Sequence, residues 1–554
     1  MSYIKMISAL IISIAVHTFA LQAQAWTSIP SVRVAKSKAT TGLFLKQSPE
    51  ICKPQALKGL SVAISGAGPC GLLFAHRLLK AGAKCTIYES RKDPRKSTSL
   101  RGRAYALGLG IRGRTAIKTV DESLWGLVKK RGFESERFDL HLSPKVKFRL
   151  RDENVLENGK KLDPSLLLYQ SDLCSALLDE LQSRYDPECL TLQFKSTIEK
   201  VNFDRQTVVC VPRGEDKIIE DGPFDLVAGC DGVNSRIRES MESDLDGFEV
   251  EKEPLPGIFK VVRLPIMPPL LDPTSIHLIA SSGAFVEPTA DGQCCILFNA
   301  KEQNDTDTSS ITTFDSLVKS ATLGREIDLK LVIKDFEAKN PLLKDLNATD
   351  IILQLLEQKP SSAFAVKCNI YHGAGFVALL GDAAHATGGV TGQGCNSALM
   401  DSVALANSLE KAFSTINDMS KPDKIASALM QYSKSQVPEG LALYDLAFGA
   451  KGEISPLMNI KIKAGQLLDT FFGGKFGLGK PLLQTQATTT LTPFSTIRRD
   501  RAGRYPFKFP KDIEFAQKLD EISQSMTKKI KEGNKSGVVE SSIDPSTQIE
   551  LVDI

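Results

Sequence analysis

The sequence predicts an α/β fold, with a mostly parallel sheet assembled from separated segments, an antiparallel β-sheet inserted between them, and helices toward the C-terminus. Three observations predict it. Residues 60–89 read as strand, tight glycine turn, helix, strand. Residues 224–238 and 375–413 each begin as a strand and run into a turn rich in glycine and acid. Between them, residues 258–298 carry several β-rich runs separated by turn residues. Strands with ligand-type loops at both ends of a chain, and a β-rich stretch in the middle, are the pattern of a split α/β domain with an insertion.

The first element has a chemical logic. Residues 61–65 (SVAIS) are a short β-type run, followed by Gly66-Ala67-Gly68-Pro69-Cys70-Gly71 and a helical pattern over 72–81. Gly82 and Ala83 break that helix, and a second strand over 85–88 ends at Glu89. In this order Gly66 allows the tight turn, Gly68 lets the backbone approach a pyrophosphate, and Gly71 lets the helix pack closely on the strand. The start of the helix points unpaired N–H groups and a positive dipole end at the phosphates. Glu89, about 20 residues on, accepts hydrogen bonds from ribose hydroxyls. An acid there favours an unphosphorylated ribose, so FAD or NAD rather than NADP.

Two similar patterns are declined. Residues 108–113 (GLGIRG) fit GxGxxG but lack a convincing preceding strand and an acid at the right distance after. Residues 474–480 fit GxxxxGK, but Pro481 stands where a Ser or Thr should meet magnesium.

Two further motifs separate FAD from NAD. Residues 225–238 (DLVAGCDGVNSRIR) resemble the DG motif of the FAD-dependent aromatic-hydroxylase (class A) monooxygenase family. Gly381-Asp382-Ala383-Ala384-His385, followed by Gly392-Gln393-Gly394-Cys395-Asn396, resembles that family's GD motif and its GQGxN turn. The resemblance implies an FAD-binding Rossmann-like (GR2/PHBH-type) domain with an inserted antiparallel substrate sheet. It also implies site residues. Asp382, beside Gly381, accepts a hydrogen bond from the ribityl chain. The turn through Gly392, Gly394 and Asn396 opens a long helix, over 397–413, whose N–H groups face the pyrimidine edge of the flavin. Asp231 organises the loop on the pyrophosphate and nicotinamide side. Gln170 falls where the family places an Arg or Gln that touches the flavin, and His385 is architectural.

Within the family, residues 102–118 (GRAYALGLGIRGRTAIK) resemble a stretch of the kynurenine 3-monooxygenases, which adds Arg103 to the cofactor set. The likeness covers 60–413 and weakens beyond. There are departures. Gly388-Gly389-Val390-Thr391 replaces the Pro-Phe-Phe of that group beside the flavin ring. Arg137 lies near, but one residue from, the position of an Arg that holds the substrate's carboxylate, and residues 147–149 read Lys-Phe-Arg where a Tyr is expected. These departures speak against kynurenine itself as substrate.

The function expected is hydroxylation of a small aromatic substrate. NAD(P)H reduces FAD, dioxygen adds at flavin carbon 4a to give a hydroperoxide, and the distal oxygen passes to the substrate. The cofactor carries that chemistry, so the absence of a Ser/His/Asp set in the motifs is no obstacle. An FAD-dependent reductase or dehydrogenase of an isoprenoid or pigment-like substrate, and a flavin-binding protein without turnover, stay open. The 11 cysteines are scattered with no CxxC pair, so no metal is expected. A net charge of +4 over 554 residues gives no reason for a nucleic-acid partner.

The ends of the chain read as targeting and tail. Lys5, an apolar stretch over 6–21 and Ala23-Gln24-Ala25 before Trp26 make residues 1–25 a signal peptide. Residues 26–59 carry Arg33, Lys36, Lys38, Lys46, Lys53 and Lys58 against the single acid Glu50, a transit-like composition. A bipartite presequence for a plastid is expected, with the secretory pathway or ER lumen as the alternative, and no transmembrane anchor in the mature chain. The remaining divisions are 60–247 (FAD domain, first part), 248–364 (mainly β substrate domain), 365–425 (FAD domain, GD part), 426–510 (helical region) and 511–554 (polar tail with a helix over 512–531).

Overall fold

The computed structural model describes residues 55–501 and 518–524, apart from internal stretches of which the longest are 97–105, 301–309, 450–460 and 466–482. The signal peptide, nearly all of the transit-like segment, Arg103 and most of the polar tail lie outside the described residues.

Strand β1 (Ser61–Ser65), helix α1 (Pro69–Lys80) and strand β2 (Lys84–Glu89) form around the first glycine turn. Pro69 opens α1, where its missing N–H is not needed, and Arg77 and Lys80 lie in the last turn against the carbonyl end. Strand β1 is buried along almost its whole length, which is why its run Val62-Ala63-Ile64 is continuously apolar rather than alternating.

Strand β3 (Ala106–Leu109), helix α2 (Ile111–Lys118) and strand β4 (Phe133–Ser135) come next. Strands β5 (Arg137–Ser143) and β6 (Val146–Arg151) then leave the cofactor domain. Strand β7 (Ser165–Tyr169) pairs with β3 and β4 and runs without a break into helix α3 (Gln170–Arg184). Strand β8 (Leu190–Phe194), strand β9 (Leu226–Gly229) and helix α4 (Arg236–Asp244) complete the first part.

The insertion begins with the long strand β10 (Val250–Leu264), then β11 (Ser275–Ile279), β12 (Ala284–Pro288) and β13 (Cys294–Ala300). Helices α5 (Phe314–Lys319), α6 (Leu329–Lys339) and α7 (Ala348–Leu356) follow, and strand β14 (Ser361–Cys368) returns. The stretch expected to be mainly β thus contains three helices, which pack on one sheet face through Phe298, Phe314 and Phe336. Lys260, buried in β10, donates to the carbonyls of Leu317 and Leu355 near the ends of α5 and α7.

Strands β15 (His372–Gly373), β16 (Val377–Leu379) and β17 (His385–Thr387) bring the chain back to the cofactor. Helix α8 (Gly394–Thr415) starts three residues earlier than the sequence suggests, because the glycine turn itself enters the helix. Helices α9 (Lys421–Phe448) and α10 (Phe494–Asp500) follow, and the helical residues 518–524 return to the main core through Leu519.

The main sheet has the order β8-β2-β1-β9-β16-β15, parallel from β8 to β16 with an antiparallel edge. The second sheet has eight strands in the order β17-β14-β10-β13-β12-β11-β5-β6, so it draws strands from both sides of the 248–364 insertion. Its β5–β11 pair is parallel, and the other pairs are antiparallel. No helix among the described residues is long and apolar enough to cross a membrane.

Candidate cofactor site

The carboxyl ends of β1 and β9 open onto a cleft of about 410 Å³. Ligands of open α/β sheets bind at such ends. Gly66 and Gly68 line it from the first motif, Asp231 from the second, and Asp382 and Gly394 from the third. Glu89 at the end of β2 and Gln170 at the start of α3 complete the expected residues in its wall. Three motifs separated by more than a hundred residues therefore meet at one place.

Each glycine has a distinct reason. Gly66 has φ +100°, and a Cβ there would lie 2.5 Å from the Cys230 carbonyl oxygen. A Cβ on Gly71 would strike the Gly66 carbonyl oxygen, so the helix could not sit down on the turn. Gly68 differs: its backbone is extended, at φ −76°, and a Cβ would meet no protein atom within 4 Å. The space it leaves belongs to the cleft. Gly71 and Gly381 shape the wall from behind, Gly381 with a positive φ of 59° and Ala398 beneath it.

The acids are held ready. Glu89 Oε2 accepts the Ala67 N–H at 2.9 Å, while Oε1 accepts the Arg91 N–H at 2.8 Å. Burial pushes the Glu89 carboxyl up, but the Arg91 guanidinium, bonded to it at 2.8 Å, and these N–H groups outweigh it and keep it ionised. Asp231 Oδ2 accepts the N–H groups of Arg236 and Ile237 at the start of α4, at 2.9 and 3.4 Å. Its Oδ1 is buried and accepts nothing from the described residues, and burial pushes this carboxyl up. Asp382 projects into the cleft, where surrounding protein likewise raises it. An open space at Gly68, the N–H end of α1 and an orphaned buried oxygen on Asp231 fit a bound dinucleotide.

Behind the third motif lies a buried pair. His385 Nε2 bonds Asp401 Oδ2 at 2.6 Å, and Asp401 also accepts the Gly381 N–H at 2.9 Å. The His385 ring stacks on Tyr371, with centroids 5.5 Å apart. This pair pins the Gly381 turn from the side away from the cleft, which agrees with an architectural role for His385.

Asn396 does something the motif did not suggest. Its Oδ1 accepts the N–H groups of Gly110 and Gly113 at 2.9 and 3.1 Å, and its Nδ2 donates to the Gly108 carbonyl at 2.9 Å. The second GxGxxG begins at the end of a short strand, β3, which the sequence reading did not find. Its helix end is filled by a protein amide instead of a phosphate. Replacing Asn396 by Ala leaves two buried N–H groups and a carbonyl without partners. An expected loss of about 2–4 kcal/mol of stability follows, measurable by urea unfolding; a change under ~0.5 kcal/mol would contradict the assignment.

Gly392, like Asn396, is absent from the cleft wall and serves the turn, with φ +62°. The structure turns Arg137 away from the cofactor cleft. It bonds Thr274 Oγ1 at 2.9 Å and shares the sheet face of Asp139 and His141, opposite Phe138. A one-residue offset in a strand moves a side chain to the other face.

Sequence reasoning missed Arg91, which lines the cleft, and the three thiols of Cys70, Cys230 and Cys395 in its wall. It also missed a buried trio, Asp139, His141 and His277, in which His141 Nε2 lies 3.0 Å from His277 Nδ1. Asp139 there is already bonded by Arg149 at 2.9 Å, with Lys147 at 3.3 Å, so its charge is balanced by protein cations.

Comparison with known proteins agrees with this geometry. The family described as FAD binding domain matches residues 59–418. Kynurenine 3-monooxygenase from Sus scrofa is 26% identical over 400 residues, spanning 70% of this chain and 74% of its own. The enzyme of that name from Salinispora tropica is 28% identical over 402 residues, spanning 70% and 78%. The crystal structure of a 2-methyl-3-hydroxypyridine-5-carboxylic acid oxygenase mutant superimposes with a TM-score of 0.53 at 15% identity, covering 78% of this chain and 96% of that one. That last likeness concerns the fold. With more than half its length matched and the three motifs gathered at one cleft, the chain belongs to the FAD binding domain family, as an FAD-dependent oxidoreductase of the aromatic-hydroxylase type.

Proposed function

We propose that the protein hydroxylates a small aromatic substrate with NAD(P)H and dioxygen, holding FAD in the cleft between α1, α3 and α8. The observation that carries this reading is the meeting of Glu89, Asp231, Asp382 and the N-terminus of α8 on one cavity. Bound there, FAD would supply electron transfer from NAD(P)H and the activation of oxygen. The protein's share is orientation and electrostatics. Gly66, Gly68 and the start of α1 hold the pyrophosphate, Glu89 the adenosine ribose and Asp382 the ribityl chain. The start of α8 at Gly394 offers N–H groups and a positive dipole end to negative charge on a reduced ring. Arg103 joins this set on the family resemblance.

The relatives named kynurenine 3-monooxygenase support an aromatic substrate. The glycines at 388 and 389 and the outward-turned Arg137 argue for a different one. The leader composition supports delivery to a plastid, with the secretory route as the second reading.

The test is spectroscopic and kinetic. The purified protein should show a flavin spectrum, and NADH or NADPH oxidation should accelerate with oxygen uptake when a suitable phenol or arylamine is added. Reduction of the flavin without substrate-linked oxygen uptake would favour a reductase, and a flavin that neither nucleotide reduces would favour a non-catalytic role.

A further inference from the structure

Glu287 in β12 has no part in the cofactor cleft, yet it is only 8% exposed. No described residue forms a hydrogen bond or ion pair with its carboxyl, and burial alone pushes it up to about 8. Buried polar groups in folded proteins are nearly always paired, so an orphan carboxyl calls for a ligand.

The register says which way it faces. Glu287 stands opposite Cys295, and Cys295 stands opposite Arg263, so the three form a row across β12, β13 and β10. Cys295 and Val261, on this face, pack against Ala106 and Tyr169. Those two residues immediately precede Leu107 and Gln170, which line the cofactor cleft. The opposite face, with Val262, Val286 and Ile296, is covered by α5, α6 and α7. Glu287 therefore lies on the side of the substrate sheet that meets the cofactor domain, beside the wall carrying Gln170. Arg263, two strands away, lies with its guanidinium 4.0 Å from the centroid of the Tyr169 ring.

We propose that Glu287 determines substrate specificity, and that the substrate is an aromatic compound bearing a basic amine whose N–H groups bind the Glu287 carboxylate. This rests on the monooxygenase reading above. A buried carboxyl without a cation favours a ligand that brings one, because the incoming charge both satisfies its oxygens and stabilises its ionised form. A ligand carboxylate in the same place would be repelled.

Tyramine and 4-hydroxyphenylacetate make the test, since they share a phenol ring and carry opposite charges. Binding to the flavin-loaded, full-length protein is measured by calorimetry and by perturbation of the flavin spectrum. Tyramine should bind at least ~10-fold more tightly, and the Glu287→Gln variant should bring the ratio near one. Glu287→Leu should behave like Glu287→Gln, showing that charge and not shape is read. Both variants should fold, because each removes a carboxyl that has no partner. Equal binding of the two probes, binding of neither, or a preference that survives Glu287→Gln would overturn the inference. So would an equal loss of kcat with both probes at unchanged KM, which marks a proton-transfer role instead. A protein that takes up no flavin refutes the cofactor reading itself, and is recognised before any probe is added.

Discussion

Replacing Gly68 by Glu should abolish flavin binding while leaving the fold intact. The backbone at Gly68 is extended and a Cβ meets no protein atom, so the substitution asks nothing of the surrounding structure. The new carboxylate enters the cleft at the N–H end of α1, where the proposed function puts the pyrophosphate. Like charges placed together cost several kcal/mol, which is on the order of 100-fold to 1,000-fold in affinity. Gly68→Ala, which adds bulk without charge, should lose far less. Flavin titration followed by absorbance separates the two, and thermal unfolding of the flavin-free proteins should show three similar midpoints. Tight flavin binding by Gly68→Glu would mean that the phosphates lie elsewhere. The same variant at Gly71 would be uninformative, because the Gly66 carbonyl already forbids a Cβ there.

Asp401→Asn should produce the largest loss of stability. It removes the counter-charge of buried His385 and weakens the acceptor of the Gly381 N–H. Breaking a buried ion pair from one side typically costs about 3–5 kcal/mol. Burial pushes the His385 imidazole down, but the Asp401 carboxylate outweighs it and the net direction is up. A histidine whose folded value is raised contributes stability that is fully present below its unfolded value, near ~6.5, and lost as pH rises through the folded value. The difference between wild type and Asp401→Asn should therefore be greatest in mildly acidic buffer and shrink on going alkaline, as read from urea unfolding at several pH values. A difference that is constant with pH would show that the pair is held by hydrogen bonding alone.

What was legible in the sequence follows the range of the interactions. Gly66, Gly68, Gly71 and Glu89 act within one strand-turn-helix unit, so their spacing carries their roles. Asp231, Asp382 and Gly394 were readable only by resemblance, since nothing local says that the three loops meet. Asn396 was assigned to the cofactor because its motif borders the ring. Its actual partners, Gly108, Gly110 and Gly113, lie far back in the chain. Arg137 shows how a strand punishes an offset of one residue. Glu287 was invisible for a related reason: a lone acid in an alternating β run reads as solvent-facing, and only the second sheet, the helices on its far face and the cofactor domain together bury it. The three helices of the insertion escaped notice because the β-rich runs before them set the reading of the whole segment.

The Gly381 turn is anchored in both large sheets. The chain leaves the parallel sheet at Leu379 and joins the antiparallel one at His385, where β17 pairs with β14 across Ala386 and Val366. Residues 380–384 span this crossing, and residues 369–371 make another, from β14 to β15. On the proposed function, the loop that would hold the ribityl chain runs directly into a strand of the substrate sheet, so binding of flavin and binding of substrate are expected to influence one another.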